Sequence, residues 1–142
     1  ILPVLQKVRA RFLIDPHKCT ELARHLTQQL NVVAASVRNK VASLSGGNQQ
    51  KVVLSKAFAT GSQIMLLDDP TVGVDVESKR EIAQLVRQHV CSGKNGAVVV
   101  SSELEFIAEL CDRVLVMREG AIVDELRAAD EPVTEARLLA LV

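Results

Sequence analysis

Tryptophan and tyrosine are absent, and phenylalanine occurs only at Phe12, Phe58 and Phe106, so the interior must be aliphatic and base-stacking platforms are excluded. Net charge is also lacking: 17 Lys and Arg balance 17 Asp and Glu, which gives no basic surface for nucleic acid or an anionic membrane. The apolar runs fall far short of a membrane span and there is no signal peptide, so any membrane role has to come through a partner. Cys19, Cys91 and Cys111 are odd in number and share no metal-type spacing, which fits reduced cytosolic thiols rather than a disulfide framework. His17, His25 and His89 show no ligand-like clustering and read as structural or solvated. What remains is ample for one compact domain: 142 residues, 48% of them hydrophobic.

The stretch Leu44-Ser-Gly-Gly-Asn-Gln-Gln-Lys-Val-Val53 organises the chain. Val52, Val53, Leu54, Ala57 and Phe58 recur at helical spacing, which predicts a helix starting at the glycines. Gly46 and Gly47 allow close approach to the backbone, the helix N-terminus favours an anion, and Ser45 adds a hydroxyl. A Ser-Gly-Gly alone would equally serve as an ordinary helix start with Ser45 as N-cap.

Upstream, Leu5, Val8 and Phe12 predict a short amphipathic helix, and Asp15-Pro16 opens a second whose apolar stripe is Cys19, Leu22, Leu26 and Leu30. Asn31 ends this helical pair, and the ambiguous Val32 to Val41 reads as an irregular link with a short turn of helix. Downstream, Gly61-Ser62 breaks the helix that starts at the glycines, and Ile64-Met-Leu-Leu67 predicts a strand buried on both faces of a parallel sheet. Asp68 and Asp69 then stand at its C-terminal end, either as a solvated junction closed by Pro70 or as carboxylates met by a cation. Val76 to Val90 predicts a crossover helix and Ala97 to Val100 a second buried strand, together a parallel βαβ unit. A capping box from Ser102 to Glu105 opens the next helix. Asp112 to Arg118 alternates like a half-buried strand, Glu119-Gly120 turns into Ala121 to Glu125, and Thr134 to Val142 closes the chain as a short helix.

Taken together, Leu44 to Val53, the Ile64-Met-Leu-Leu-Asp-Asp-Pro-Thr71 segment and Gly73-Val-Asp75 resemble the signature, Walker B and D-loop of ATP-binding cassette (ABC) proteins, in order and at matching spacing. The Asn-Gln-Gln-Lys variant resembles the carbohydrate-importer branch. The resemblance implies an α/β P-loop NTPase fold of the ABC type, with residues 1–45 as the remnant of a helical subdomain and residues 46–142 as the C-terminal part of the sheet core. It implies ATP and Mg²⁺ as cofactors. Ser45, Gly46, Gly47, Asn48, Gln50 and Asp75 would meet nucleotide at a seam with a second cassette, and Asp68 would hold the metal. It further implies membrane-spanning permease subunits as partners, a periplasmic sugar-binding protein indirectly, no nucleic acid, and a place at the cytoplasmic face of the membrane.

Three features depart from that pattern. No Gly-x-x-x-x-Gly-Lys-Ser/Thr phosphate loop is present, the sole Gly-Lys pair being Gly93-Lys94, and no glutamine loop is found, which implies the second half of a cassette and a gap between the Ala97–Val100 and Arg113–Met117 strands. Self-association or strand repacking is expected to close that gap. Asp69 stands where the family usually has a water-polarising glutamate. Its carboxylate is withdrawn by roughly 1 Å, a misplacement that can cost about a hundredfold. Glu103 falls near the place of the switch histidine, which a carboxylate cannot replace as a donor to phosphate. Its alternative reading is a first-turn acid of the helix. The resemblance therefore makes Asp69 and Glu103 the catalytic positions of a second cassette with a degenerate hydrolytic site, inactive as an isolated chain.

Overall fold

The computed structural model describes residues 2–10, 13–91 and 94–142. The chain opens with a 3-10 helix over Leu2–Val8, kinked at Val4, and a two-stranded antiparallel ribbon of β1 (Arg9–Ala10) and β2 (Leu13–Ile14). This replaces the expected amphipathic α-helix. Val4 and Val8 are the residues that bury, and the Asp15 amide donates to the Val8 carbonyl, which turns the chain back toward the next helix before a further turn could form. Phe12, the third residue of the expected stripe, lies outside the described residues, as does Gly93 of the Gly-Lys pair.

Helix α1 (Pro16–Gln29) starts as its sequence dictates. Asp15 Oδ1 accepts from the amides of His17 at 2.8 Å and Lys18 at 3.3 Å, and proline occupies the first turn, where no amide is needed. Its stripe is only half-buried until Leu30, which is fully enclosed; Cys19, Leu22 and Leu26 line an apolar cavity of about 250 Å³ that they share with Val52 and Ala59 of α2. Asn31 takes a left-handed φ of 49° and ends the helix, and residues 32–40 form an irregular link before a 3-10 turn at Val41–Ser43. Helix α2 (Gly46–Thr60) begins at the glycines and stops at Gly61, whose φ of 71° closes the last turn at no steric cost.

Strand β3 (Ile64–Asp68), helix α3 (Val76–Cys91) and strand β4 (Gly96–Val100) form the expected parallel βαβ unit, with Leu66 opposite Val98 and Asp68 opposite Val100. One face of this pair, carrying Met65, Leu67, Ala97 and Val99, packs on a core of Leu30, Leu54, Ile82, Ala83, Val86, Phe106 and Leu110. The other face is bare: Ile64 is 66% exposed, Leu66 78%, Val98 55% and Val100 61%. The expectation of strands buried on both faces is thus corrected. The apolar runs are continuous, but the helices of this chain cover a single side.

Helix α4 (Leu104–Leu110) leads into β5 (Arg113–Arg118) and β6 (Ala121–Arg127), an antiparallel hairpin. Its turn places Glu119 at φ 50° and Gly120 at φ 79°, the paired positive values that a tight hairpin matching strand twist requires. Helix α5 (Glu135–Leu139) is capped by Thr134 and buries Leu138 with Ile107 and Leu126 in a second cluster, while Leu139 and Val142 remain exposed. Strands β4 and β5 lie in separate two-stranded sheets, so the expected repacking of one onto the other does not occur. Helix α4, which joins the two strands, commits Phe106 and Leu110 to the first core and Ile107 to the second. The capping box is also absent. The helix starts one residue later than expected, with Glu103 in the cap position and its amide bonded to Ser101 Oγ at 3.1 Å. The three cysteines are unbridged, and burial, reinforced by the neighbouring Asp112 carboxylate, pushes the Cys111 thiol up.

An apolar sheet face of this kind associates in water. Sedimentation of the chain alone is expected to show concentration-dependent self-association, and the double substitution Leu66→Glu with Val98→Lys is expected to return it to monomer. Association that persists unchanged in the variant would place the contact elsewhere.

Candidate functional site

The site is built where the start of α2 meets the loop between β3 and α3. Ser45 is the N-cap of α2 and stays exposed; its Oγ accepts from the Asn48 amide at 3.4 Å and from Asn48 Nδ2 at 2.8 Å. The first amides of a helix precede any i−4 carbonyl, so this end presents donors and the positive pole of the helix dipole. Gly46 is exposed beside Ser45, whereas Gly47 is buried. A Cβ at Gly46 would lie 2.8 Å from the Gly73 carbonyl oxygen, and one at Gly47 would lie 2.3 Å from Ser78 Oγ. Both glycines are therefore demanded by the close approach of α2 to the 69–78 segment, a requirement within the fold that operates whether or not a ligand arrives.

Across that contact, Asp75 caps α3. Its Oδ1 accepts from the Ser78 amide at 2.9 Å and its Oδ2 from Ser78 Oγ at 2.8 Å. These bonds, the backbone one foremost, hold the Asp75 carboxyl below its ordinary value of 3.8. Ser78 thus serves twice, as the partner of Asp75 and as the surface against which Gly47 packs.

Asp68 ends β3 and is exposed, as is Asp69. Asp69 sits at a left-handed φ of 41°; its amide extends the strand ladder to the Val100 carbonyl at 2.8 Å, and its Oδ1 accepts from the Ser102 amide at 3.4 Å. The use of the Ser102 amide by Asp69 is one reason no capping box forms there. Glu103 has its Oε2 bound by Lys79 Nζ at 2.7 Å and by Thr71 Oγ1 at 3.1 Å. Its carboxylate ties the loop after β3 to the first turn of α3, with Thr71 only 1% exposed beneath it. Gln50 is half-buried and lies about 140° around α2 from Ser45, off the edge that carries the serine.

Sequence reasoning missed Lys51, Thr71 and Lys79. Lys51 is 5% exposed, pairs with Glu81 at 2.6 Å and donates to the Asn31 carbonyl at 3.2 Å, joining α2 to α3 and to the end of α1. Its partners are 20 and 30 residues away, and no local spacing announces them. Thr71 and Lys79 are likewise defined by Glu103, far along the chain. His89 stacks on Phe58, with ring centroids 4.1 Å apart and planes within 3°, which fits the structural reading of that histidine.

The chain matches the profile described as ABC transporter over residues 5–72, and this stretch is an ABC transporter domain segment. Among solved structures, it is similar to a dimeric bacterial ABC transporter cassette (TM-score 0.72, 24% identity, 89% of this chain and 53% of that one). It is also similar to an ATP-binding cassette in a dimeric post-hydrolysis state bound to ADP and Pi (TM-score 0.71, 23% identity, 83% of this chain and 50% of that one). These likenesses show the cassette fold. Among curated proteins, the chain is 42% identical over 140 residues to the "Ribose import ATP-binding protein RbsA" of Ruegeria sp. (strain TM1040), covering 99% of this chain and 27% of the relative. It is 45% identical over 128 residues to a "Putative ribose/galactose/methyl galactoside import ATP-binding protein 1" of Rhizobium meliloti (strain 1021), covering 90% of this chain and 25% of the relative. With the "L-arabinose transport ATP-binding protein AraG" of Geobacillus stearothermophilus it shares 40% identity over 137 residues, 96% of this chain and 26% of the relative. The chain spans about a quarter of the length of these curated relatives.

Two substitutions test the geometry. Gly47→Ala is expected to destabilise the fold by about 1–3 kcal/mol through overpacking on Ser78, with Ser78→Gly relieving part of the loss, measured by urea denaturation. Asp75→Ala is expected to lower the thermal midpoint by a few degrees. Because the folded carboxyl titrates below its unfolded value, the difference between parent and Asp75→Ala should be full above pH 3.8 and vanish as pH falls through the folded value. A difference that grew on acidification would contradict the capping role.

Proposed function

We propose that the chain is part of an ATP-binding subunit of a monosaccharide importer, presenting Ser45 and the start of α2 to nucleotide held by a neighbouring cassette. The observation that supports this most is the exposed N-terminus of α2, with Ser45 capping it and Gly46 set against Gly73, so that the signature turn and the 73–75 loop form one ridge. The names of the curated relatives support the sugar-import assignment. No described helix is long and apolar enough to cross a membrane, so in this reading the coupling runs through permease subunits, with the cassette peripheral on the cytoplasmic face.

The residues present fit the expected cofactors. A helix N-terminus with an exposed serine suits a phosphate oxygen. Among the described residues no group of three or more His, Cys, Asp or Glu could hold a metal alone. Mg²⁺, which takes one or two carboxylates plus phosphate oxygens, suits exposed Asp68 at the end of β3. Hydrolysis of ATP-Mg supplies the free energy for transport. In this reading Ser45 and Gly46 bind and orient the phosphate edge, Asp75 holds the loop at the seam by capping α3, and Asp69 occupies the water-orienting position.

A second reading, a cassette that completes a partner's site without hydrolysing its own nucleotide, is favoured by the capture of Glu103. That carboxylate is held by Lys79 and Thr71 and has a structural task of its own. Hydrolysis measured one site at a time in the assembled importer separates the two readings.

Millimolar ATP-Mg is expected to leave the thermal midpoint of the chain alone unchanged, because a ligand stabilises only a fold that binds it. Mixed with a complete sugar-import cassette, the same chain is expected to co-elute with it in ATP and not in ADP. A saturable shift with the chain alone, or co-elution indifferent to nucleotide, would overturn the proposal. In the assembled protein Asp69→Glu is expected to raise turnover by about tenfold or more, and unchanged turnover would show that the position does not orient water.

A further inference from the structure

Asn48 stands inside the signature turn, where the resemblance makes it a nucleotide contact, yet its side chain is committed at both ends to groups of this chain. Oδ1 accepts from the Val33 amide at 2.7 Å, and Nδ2 donates to Ser45 Oγ at 2.8 Å. The Asn48 amide reaches the same serine oxygen at 3.4 Å. A hydroxyl has two lone pairs and one proton. With both lone pairs directed at donors on Asn48, the proton of Ser45 is left to be donated to an acceptor other than Asn48.

We infer that Asn48 is a positioning residue that keeps the Ser45 hydroxyl a donor toward phosphate, with the Val33 amide fixing the orientation of the Asn48 side chain. The inference rests on the reading above, in which Ser45 meets a phosphate oxygen. The role of Val33 follows from the chemistry of an amide, whose oxygen and nitrogen ends are nearly equal in size. Were it reversed, oxygen would face Ser45, and the hydroxyl would turn inward to donate. The Val33 N–H forbids the reversal, because it needs an acceptor and would meet an NH₂ group instead. Val33 lies in the link that leaves α1, 15 residues before Asn48, so the serine's proton is oriented by the placement of that link.

A double-mutant cycle in the assembled transporter tests this. Ser45→Ala is expected to raise the apparent KM for ATP-Mg about tenfold, as loss of a hydrogen bond to a charged group does. Asn48→Ala is expected to raise it by a similar factor, and the double variant to be no worse than Ser45→Ala, because Asn48 acts through the serine. Hydrogen exchange at the Val33 amide should accelerate in Asn48→Ala and stay at the parent rate in Ser45→Ala. Where Asn48→Ala lowers the thermal midpoint, Asn48→Asp takes its place in the cycle. It keeps the acceptor for Val33 but offers Ser45 an acceptor in place of a donor, so KM should still rise with Val33 protected. A normal KM in the Asn48 variants beside a raised one in Ser45→Ala would overturn the inference and leave the proposed function standing, as would additive effects in the double variant. An unchanged KM in Ser45→Ala would overturn both.

Discussion

The start of α2 can sit where it does only because two consecutive residues have no side chain. Gly46 lies against the Gly73 carbonyl and Gly47 against Ser78, at distances no Cβ tolerates. That contact brings the signature turn and the loop after β3 together, and the rest of the site follows from it. Ser78, pressed against Gly47, is the residue that satisfies Asp75, and Asp75 in turn defines where α3 begins. Two segments separated in sequence, the start of α2 and the Gly73–Ser78 stretch, are thereby fixed to one another by small residues and a single cap. The glycine pair thus answers one demand twice, close packing at the exposed Gly46 and at the buried Gly47.

A second set of contacts frames this junction with charge. Lys51 reaches from α2 to Glu81 and to the carbonyl of Asn31, while Lys79 reaches from α3 to Glu103. The largely buried Lys51 is compensated by a carboxylate and a carbonyl, as a cation withdrawn from water must be. Glu103 makes the complementary case. Its pairing with Lys79 and Thr71 turns it into a tie between the β3 loop and α3.

Much of this was legible in the sequence, and the boundary is physical. The Asp15-Pro16 start, the glycine start and stop of α2, the parallel βαβ unit and the Glu119-Gly120 hairpin each follow from local chemistry, where one or two residues decide the backbone. Readings that depended on neighbours beyond the local window failed. Ile64 to Leu67 has the composition of a strand enclosed on both sides, and composition cannot register that Ile64 and Leu66 face solvent in this chain. Ser102 and Glu105 have the spacing of a capping box, but the amide of Ser102 turns to Asp69, 33 residues away. The roles of Lys51, Thr71 and Lys79 were invisible for the same reason.

The bare face of the β3–β4 pair bears on how the site is held. Met65 and Val99 anchor one side of the sheet to the helical core, and on the other side Ile64, Leu66, Val98 and Val100 meet water. Asp68 closes this pair at its C-terminal end, opposite Val100, and Asp69 follows immediately. Each of these carboxylates is therefore positioned from one side only: by the ladder through the Val100 carbonyl, by the Ser102 amide, and by the loop that Glu103 ties down. The signature end is different. Ser45 is set by Asn48, Asn48 by Val33, and the whole turn by the glycine contact, all within this chain. The two ends of the site thus differ in how this chain holds them: Ser45 is set by Asn48 and, through it, by Val33, whereas the carboxylate pair is held from one side of the sheet only.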